Sequence, residues 1–265
     1  MSGQKDEDIK LFENEAEEIL RNIVIEQAFI KNRKKIISFI EQNSTICCEL
    51  INNQQPKTCL FILTKLYNIC VEILRGFPAE LDPKGDVRQF FTHLRLREKT
   101  NISYSKGKSI DLPAFIFLVQ QFGKTKDITE IKDVDHFQYS LVIEFFLLTV
   151  NNLAFINLKR NKHEVTIDYL LRALECMNLL EFSSYYIKYN ISTVITNLIY
   201  LIEEDYKEEA SQLLCNVTLY LEKLEKELDF HPQSRNIYEH LNARAFSFSL
   251  FLEYSYILEP FLMFS

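Results

Sequence analysis

The sequence predicts an all-α protein, an irregular array of antiparallel helical hairpins. Three observations point there. Glycine and proline are scarce, 5 and 6 of 265 residues, which disfavours β-rich folds with many tight turns and favours long helices joined by short polar loops. Apolar residues make up 47% of the chain, enough for a sizeable core. Apolar positions recur at helical spacing through most of the chain, the pattern of helices that bury one stripe.

Residues 1–76 read as N-terminal helices. Residues 1–8 look frayed, and a helix is expected from Ile9, with Phe12, Ala16, Ile19 and Ile23 on one face and Glu13, Glu15, Glu17 and Glu18 on the other. The basic run Lys31 to Lys35 is either a solvated helix face or a short localisation signal. A helical stretch follows over about Lys34 to Ile51. Asn52 to Gln55 break it, and Pro56 suits the first turn of the next helix, since its missing N–H is not needed there. That helix carries Leu60, Leu63, Leu66, Ile69, Cys70 and Ile73, and Gly76 with Pro78 stops it.

Residues 77–134 read as an irregular basic segment, a domain boundary or an insertion, with short helices. One is expected from Asp86 to about Glu98. Arg88, Arg95, Arg97, Lys99, Lys106 and Lys108 are interleaved with Phe90, Phe91, His93 and Tyr104. Such a mixture can hold RNA or a phosphorylated peptide; it equally describes an exposed helix and loop with its phenylalanines in a core. Asp111 and Pro113 open a second short helix, which Gly123 closes. Its near-continuous apolar content predicts burial.

Residues 135–265 organise the rest. Asp135 can accept from the free first-turn N–H groups of a helix carrying Leu141, Phe145, Leu148, Val150, Leu153, Ala154 and Ile156. Asn161 is expected as a left-handed stop, because Asn tolerates positive φ. Lys159, Arg160 and Lys162 meet the negative pole at that end. A second helix begins at His163 with the stripe Val165, Leu170, Ala173, Leu174 and Met177, and the connection is short enough to force an antiparallel pair.

The stretch NLAFINLKRNKHEVTIDYLLRALECM resembles a tetratricopeptide repeat. That family places small residues where two helix backbones approach and a large apolar residue beside them. Ala154, Thr166, Leu170 and Ala173 take those places, and Leu153 matches the apolar residue before the first. Asn157 and Asn178 depart from it, standing where the family has an aromatic residue and a proline. A weaker copy from Thr196 uses Asn197 and Leu198, with Ser211, Cys215 and Thr218 at the later positions. The copies lie about 45 residues apart rather than the usual 34. The resemblance implies a tetratricopeptide-like α-solenoid whose groove shows Asn151, Asn152, Phe155 and Lys159, and Thr196, Asn197 and Tyr200 in the copy. Asn152 and Asn197 stand where the family often bonds a partner's backbone or carboxylate, and an amide can donate and accept. Leu148, Asn151, Thr193 and Thr196 replace the basic residues of chaperone-tail binders, so no such clamp is expected.

The C-terminal segment from Asn242 is aromatic and apolar almost throughout. It reads either as a final helix that caps the array or as an element that docks a partner.

No catalytic site is expected. The histidines His93, His136, His163, His231 and His240 show no metal-binding pair, and there is neither a nucleophile elbow nor a phosphate-cradling glycine loop. Cys47, Cys48, Cys59, Cys70, Cys176 and Cys215 have no C-x-x-C spacing and read as core residues. No metal or cofactor is expected. A formal charge of −7 argues against a general nucleic-acid binder. The polar start MSGQKDEDIK is no secretory signal, and no apolar run reads as long enough to span a bilayer. The expectation is an intracellular protein, cytoplasmic or nuclear, that acts as a scaffold or adaptor subunit binding protein partners in a larger assembly. The alternative is a helical RNA-associated protein using residues 88–108.

Overall fold

A computed structural model of the chain describes residues 2–26, 29–52, 55–99, 111–121, 126–127, 134–180, 182–183, 185–202 and 205–229. Among these the architecture is all-α, with helices α1 (Ser2–Glu26), α2 (Phe29–Asn52), α3 (Pro56–Leu74), α4 (Asp86–Lys99), α5 (Leu112–Gln121), α6 (Val134–Lys159), α7 (His163–Leu179), α8 (Tyr185–Ile202) and α9 (Lys207–Asp229). The sole extended pairing among the described residues is a two-residue parallel contact between β1 (Lys126–Asp127) and β2 (Phe182–Ser183), with Lys126 opposite Phe182. Two expected boundaries move. Helix α1 starts at Ser2 rather than Ile9; Gln4, Lys5 and Glu7 are good helix formers, and Asp6 and Asp8 lie near the positive N-terminal pole. Helix α2 starts at Phe29, so the basic run lies within it as a largely solvated face, and Lys35 sits 3.7 Å from Glu18.

The chain divides into two compact units, which differ from the three expected segments. One comprises Met1–Ile102 and Lys132–Phe146; the other comprises Ser103–Ile131 and Leu147–Ser265. Helix α6 supplies its first half to one and its second half to the other.

In the first unit α3 is the centre, with α1, α2 and α4 packed on it. Its last two turns are buried all round, from Leu66 to Leu74 apart from half-covered Asn68. Aromatic side chains make the joints. Phe12 stacks on Phe39 at 5.5 Å and meets Phe61 edge-on at 6.2 Å. Tyr139 of α6 lies between Phe29 and Phe77, at 5.0 and 5.7 Å. Phe146 lies between Tyr67 and Phe91, at 5.6 and 5.0 Å. Edge-on and tilted pairs of this kind add about 0.5–1.5 kcal/mol each beyond their buried area.

The loop between α3 and α4 is tightly built. Gly85 adopts φ 79°, a left-handed conformation that glycine takes without steric cost. The turn brings buried Asp82 beneath α4, where its carboxylate accepts from the N–H groups of Val87 (3.3 Å) and Arg88 (3.0 Å). A carboxylate at a helix N-terminus satisfies orphan donors and meets the positive pole.

In the second unit α7 packs on α8, α8 on α9, and α5 on α7. Helix α6 ends as the sequence predicts. Asn161 has φ 56°, the Lys162 N–H donates to the Asn157 carbonyl at 2.9 Å, and the Asn161 N–H donates to the Leu158 carbonyl at 2.9 Å. These are the two bonds of a Schellman stop with Asn in the left-handed place. A β-branched residue there is strained, so Asn161→Val should lose about 1–2 kcal/mol, while Asn161→Gly stays within about 0.5 kcal/mol. Urea unfolding of the two variants checks this, and equal midpoints would refute it.

Two expectations about burial are corrected. Helix α5 is not buried all round: Phe115 and Val119 face inward, while Phe117 is 60% exposed, because the helix packs along one side only. Within α6, Gln138–Lys159 is long and apolar enough to cross a membrane by length and composition, contrary to the reading of the sequence, and its most apolar stretch is 89% buried within the protein. A core helix passes the same test.

The expected C-terminal cap or docking element, from Asn242 onward, lies outside the described residues.

Candidate functional site

One pair of the residues that suggested a repeat joins α6 to α7. Thr166 Oγ1 donates to the Ala154 carbonyl at 3.2 Å. A side chain larger than Ala at 154 would hold the helices further apart. The expected groove residues fall differently. Asn151, Asn152, Phe155 and Asn197 are all buried. Asn197 Nδ2 donates to Asn151 Oδ1 at 2.7 Å, which joins α8 to α6. Lys159 is exposed and sits over the Phe155 ring at 5.2 Å. Tyr200 is exposed, and Thr196 is half-covered and donates to the Ser192 carbonyl at 2.9 Å. At these four positions the side chains lie in the interior rather than along an open groove, and the Asn151 and Asn197 amides meet each other there, as buried amides must find partners. Helix α7 holds a buried ion pair, Asp168 with Arg172 at 2.7 Å, and the Arg172 guanidinium lies 5.2 Å from the Tyr169 ring.

The basic segment also resolves into internal bonding where it is described. Arg88 Nε pairs with Asp82 at 3.2 Å, and its Nη2 donates to the Asp82 carbonyl. Arg95 Nε pairs with Glu72, a buried side chain of α3 that also takes Arg75 Nη1 at 2.6 Å. One buried carboxylate therefore binds two guanidinium groups and ties α4 to α3, which is what a buried anion requires. The partners of Arg88 and Arg95 are engaged structural carboxylates, not an open cationic face. The side chains of Arg97 and Lys99, and the whole of Lys106 and Lys108, lie outside the described residues.

Cys47, Cys59, Cys70 and Cys176 are buried, and Cys59 Sγ donates to the Cys47 carbonyl at 3.4 Å. Burial pushes the Cys70 and Cys176 thiols far up from their usual range, so neither forms a ready thiolate. Cys215 is exposed on α9. Among the described residues no group of three or more His, Cys, Asp or Glu side chains is placed to hold a metal ion.

One concave feature among the described residues lies elsewhere. A cleft of about 320 Å³ lies between α5 and α9. Its floor is Ile116, Val119, Leu213 and Val217, and its rim is Gln120, Glu209, Gln212 and Asn216. Phe117 stands three residues from Gln120 on α5, and Leu219, 58% exposed, stands seven residues from Gln212 on the same face of α9. No family model, curated protein or solved structure matches this chain. Sequence reasoning missed the cleft because it assigned α5 wholly to the core. The available signal was the pair Gln120 and Gln121, which interrupts the apolar run on one side.

Proposed function

We propose that this protein is a non-catalytic interaction module, a scaffold or adaptor subunit of a larger assembly, and that it holds an apolar segment of a protein partner in the α5/α9 cleft. The uncovered apolar side of α5 carries this reading. A helix that is apolar nearly all round is normally buried, and an exposed apolar patch rimmed by polar groups marks an interaction surface. The helical hairpin of α6 and α7, with its small-residue contact at Ala154 and Thr166, supports an irregular tetratricopeptide-like array as the scaffold that presents the cleft.

The test substitutes the exposed apolar side chains of the two helices that line the cleft, Phe117→Asp and Leu219→Asp, in the full chain. Both side chains are solvent-facing, so stability should stay within about 1 kcal/mol of the parent. Proteins that co-purify in stoichiometric amount with the parent chain should be lost from the double variant. Unchanged co-purification would overturn the proposal.

A further inference from the structure

The rim of the α5/α9 cleft is made of polar side chains that bond nothing within the protein. Gln120, Glu209, Gln212 and Asn216 are all exposed. Among the described residues none of these four side chains takes part in a hydrogen bond or an ion pair. Three are neutral amides, each with two donor hydrogens and an acceptor oxygen. The fourth, Glu209, is the one charged group on the rim among the described residues.

The amides bear on the backbone conformation of an occupant. A helix has already paired its N–H and C=O groups along its own axis, so it offers the rim only side chains. An extended peptide brings one unpaired donor and one unpaired acceptor per residue, which is the complement of a side-chain amide. The spacing agrees. Gln212 and Asn216 are four residues apart on α9, so they repeat at about 6 Å along its axis. Alternate residues of an extended chain repeat at about 6.6 Å. Successive residues of such a chain turn their backbone groups to opposite sides. A peptide lying along the cleft can therefore give residues i and i+2 to Gln212 and Asn216, and residue i+1 to Gln120 on the facing helix. The side chains of i and i+2 share one face, and the floor beneath is apolar, formed by Ile116, Val119, Leu213 and Val217. A volume of about 320 Å³ lies at the small end of the range for ligand pockets, which suits a single strand better than a helix about 10 Å across. Glu209 precedes Gln212 along the same rim and is left to meet a cation at one end of the strand.

We propose that the cleft holds an extended peptide of a partner protein, apolar at alternate residues and carrying a lysine or arginine at the end beside Glu209, with Gln120, Gln212 and Asn216 bonding its backbone. The proposal names the partner class of the docking site and rests on that reading of the cleft. Such a site selects for conformation and for alternation of apolar residues rather than for one sequence, because the bonds on its rim go to backbone groups that every peptide carries.

The experiment titrates the full chain into a short fluorescein-labelled peptide of alternating valine and threonine with lysine at one end, read by anisotropy. Changing Gln212→Met and Asn216→Leu together removes two amides and adds apolar surface. It should weaken binding about tenfold, whereas an occupant held by apolar contact alone would bind this variant more tightly and overturn the proposal. Glu209→Lys should weaken binding about threefold and improve binding of the same peptide ended by glutamate. Glu80→Lys, at an exposed site in the other unit, should change neither. A leucine-rich amphipathic helical peptide that binds more tightly than the extended one, through the same residues, would also overturn it. Absence of peptide binding, with co-purifying proteins still lost from the Phe117→Asp and Leu219→Asp chain, would remove this partner class and keep the docking site. Peptide binding that the amide variant weakens, with co-purification unchanged by those two substitutions, would keep the peptide site and remove the assembly role.

Discussion

Phe146→Ala should destabilise the first unit by about 3–5 kcal/mol, the usual range for truncating a buried aromatic side chain. The ring is fully buried and sits between Tyr67 of α3 and Phe91 of α4, tilted to one and edge-on to the other. Its removal forfeits both ring contacts and opens a cavity lined by rigid aromatics that collapse poorly into it. The chain has no tryptophan and 13 tyrosines, so near-ultraviolet circular dichroism in urea reports packing around rings such as Tyr67. The two compact units can unfold separately, so the midpoint is compared probe by probe. Phe117→Ala, on an exposed ring of α5, serves as control and should change stability by no more than about 0.5 kcal/mol. A loss below about 1 kcal/mol for Phe146→Ala, the size typical of an average substitution, would mean that the cluster is not a packed joint.

Asp168→Ala should cost the second unit a comparable amount, about 3–5 kcal/mol, for a different reason. Both members of the Asp168–Arg172 pair are buried, with side chains 3% and 4% exposed. Each charge is tolerable in that interior because the other is 2.7 Å away. Removing the carboxylate takes the anion at 2.7 Å away from a buried guanidinium. Changing both residues, Asp168→Leu with Arg172→Met, takes the charges out together and should be less destabilising than Asp168→Ala alone. Chemical denaturation of Asp168→Leu, Arg172→Met and the double closes the cycle. Simple additivity, or a single variant within about 1 kcal/mol of the parent, would show that the pair is solvated in solution.

Much of the helical layout was legible from local chemistry. Asn161 marked the end of α6 because few other residues accept positive φ, and Pro56 and Gly76 marked α3 for equally local reasons. What escaped was set by residues distant in sequence. The Asp82 carboxylate caps α4 across a turn whose geometry depends on Gly85, and Glu72 reaches Arg95 from a different helix. Neither pairing leaves a trace in spacing. Asn151 and Asn197 show the sharper difficulty: an amide suits an open groove and a satisfied interior bond equally well, and only the packing of α8 on α6 decides between them. The partial exposure of α5 escaped for the converse reason, since apolar content tells how much surface a helix can bury but not whether a neighbour arrives to cover it.

The amide bond between Asn151 and Asn197 also carries a consequence for assembly. Aliphatic side chains on α6 and α8 would pack tolerably at several offsets, because dispersion and apolar burial have little directionality. The amides do not. Sliding α8 by one helical turn, about 5.4 Å, would break this 2.7 Å bond between buried amides, at a cost of about 1–3 kcal/mol for a buried donor left unsatisfied. The pair therefore acts as an alignment key, adding little to net stability while making misregistered versions of the second unit expensive.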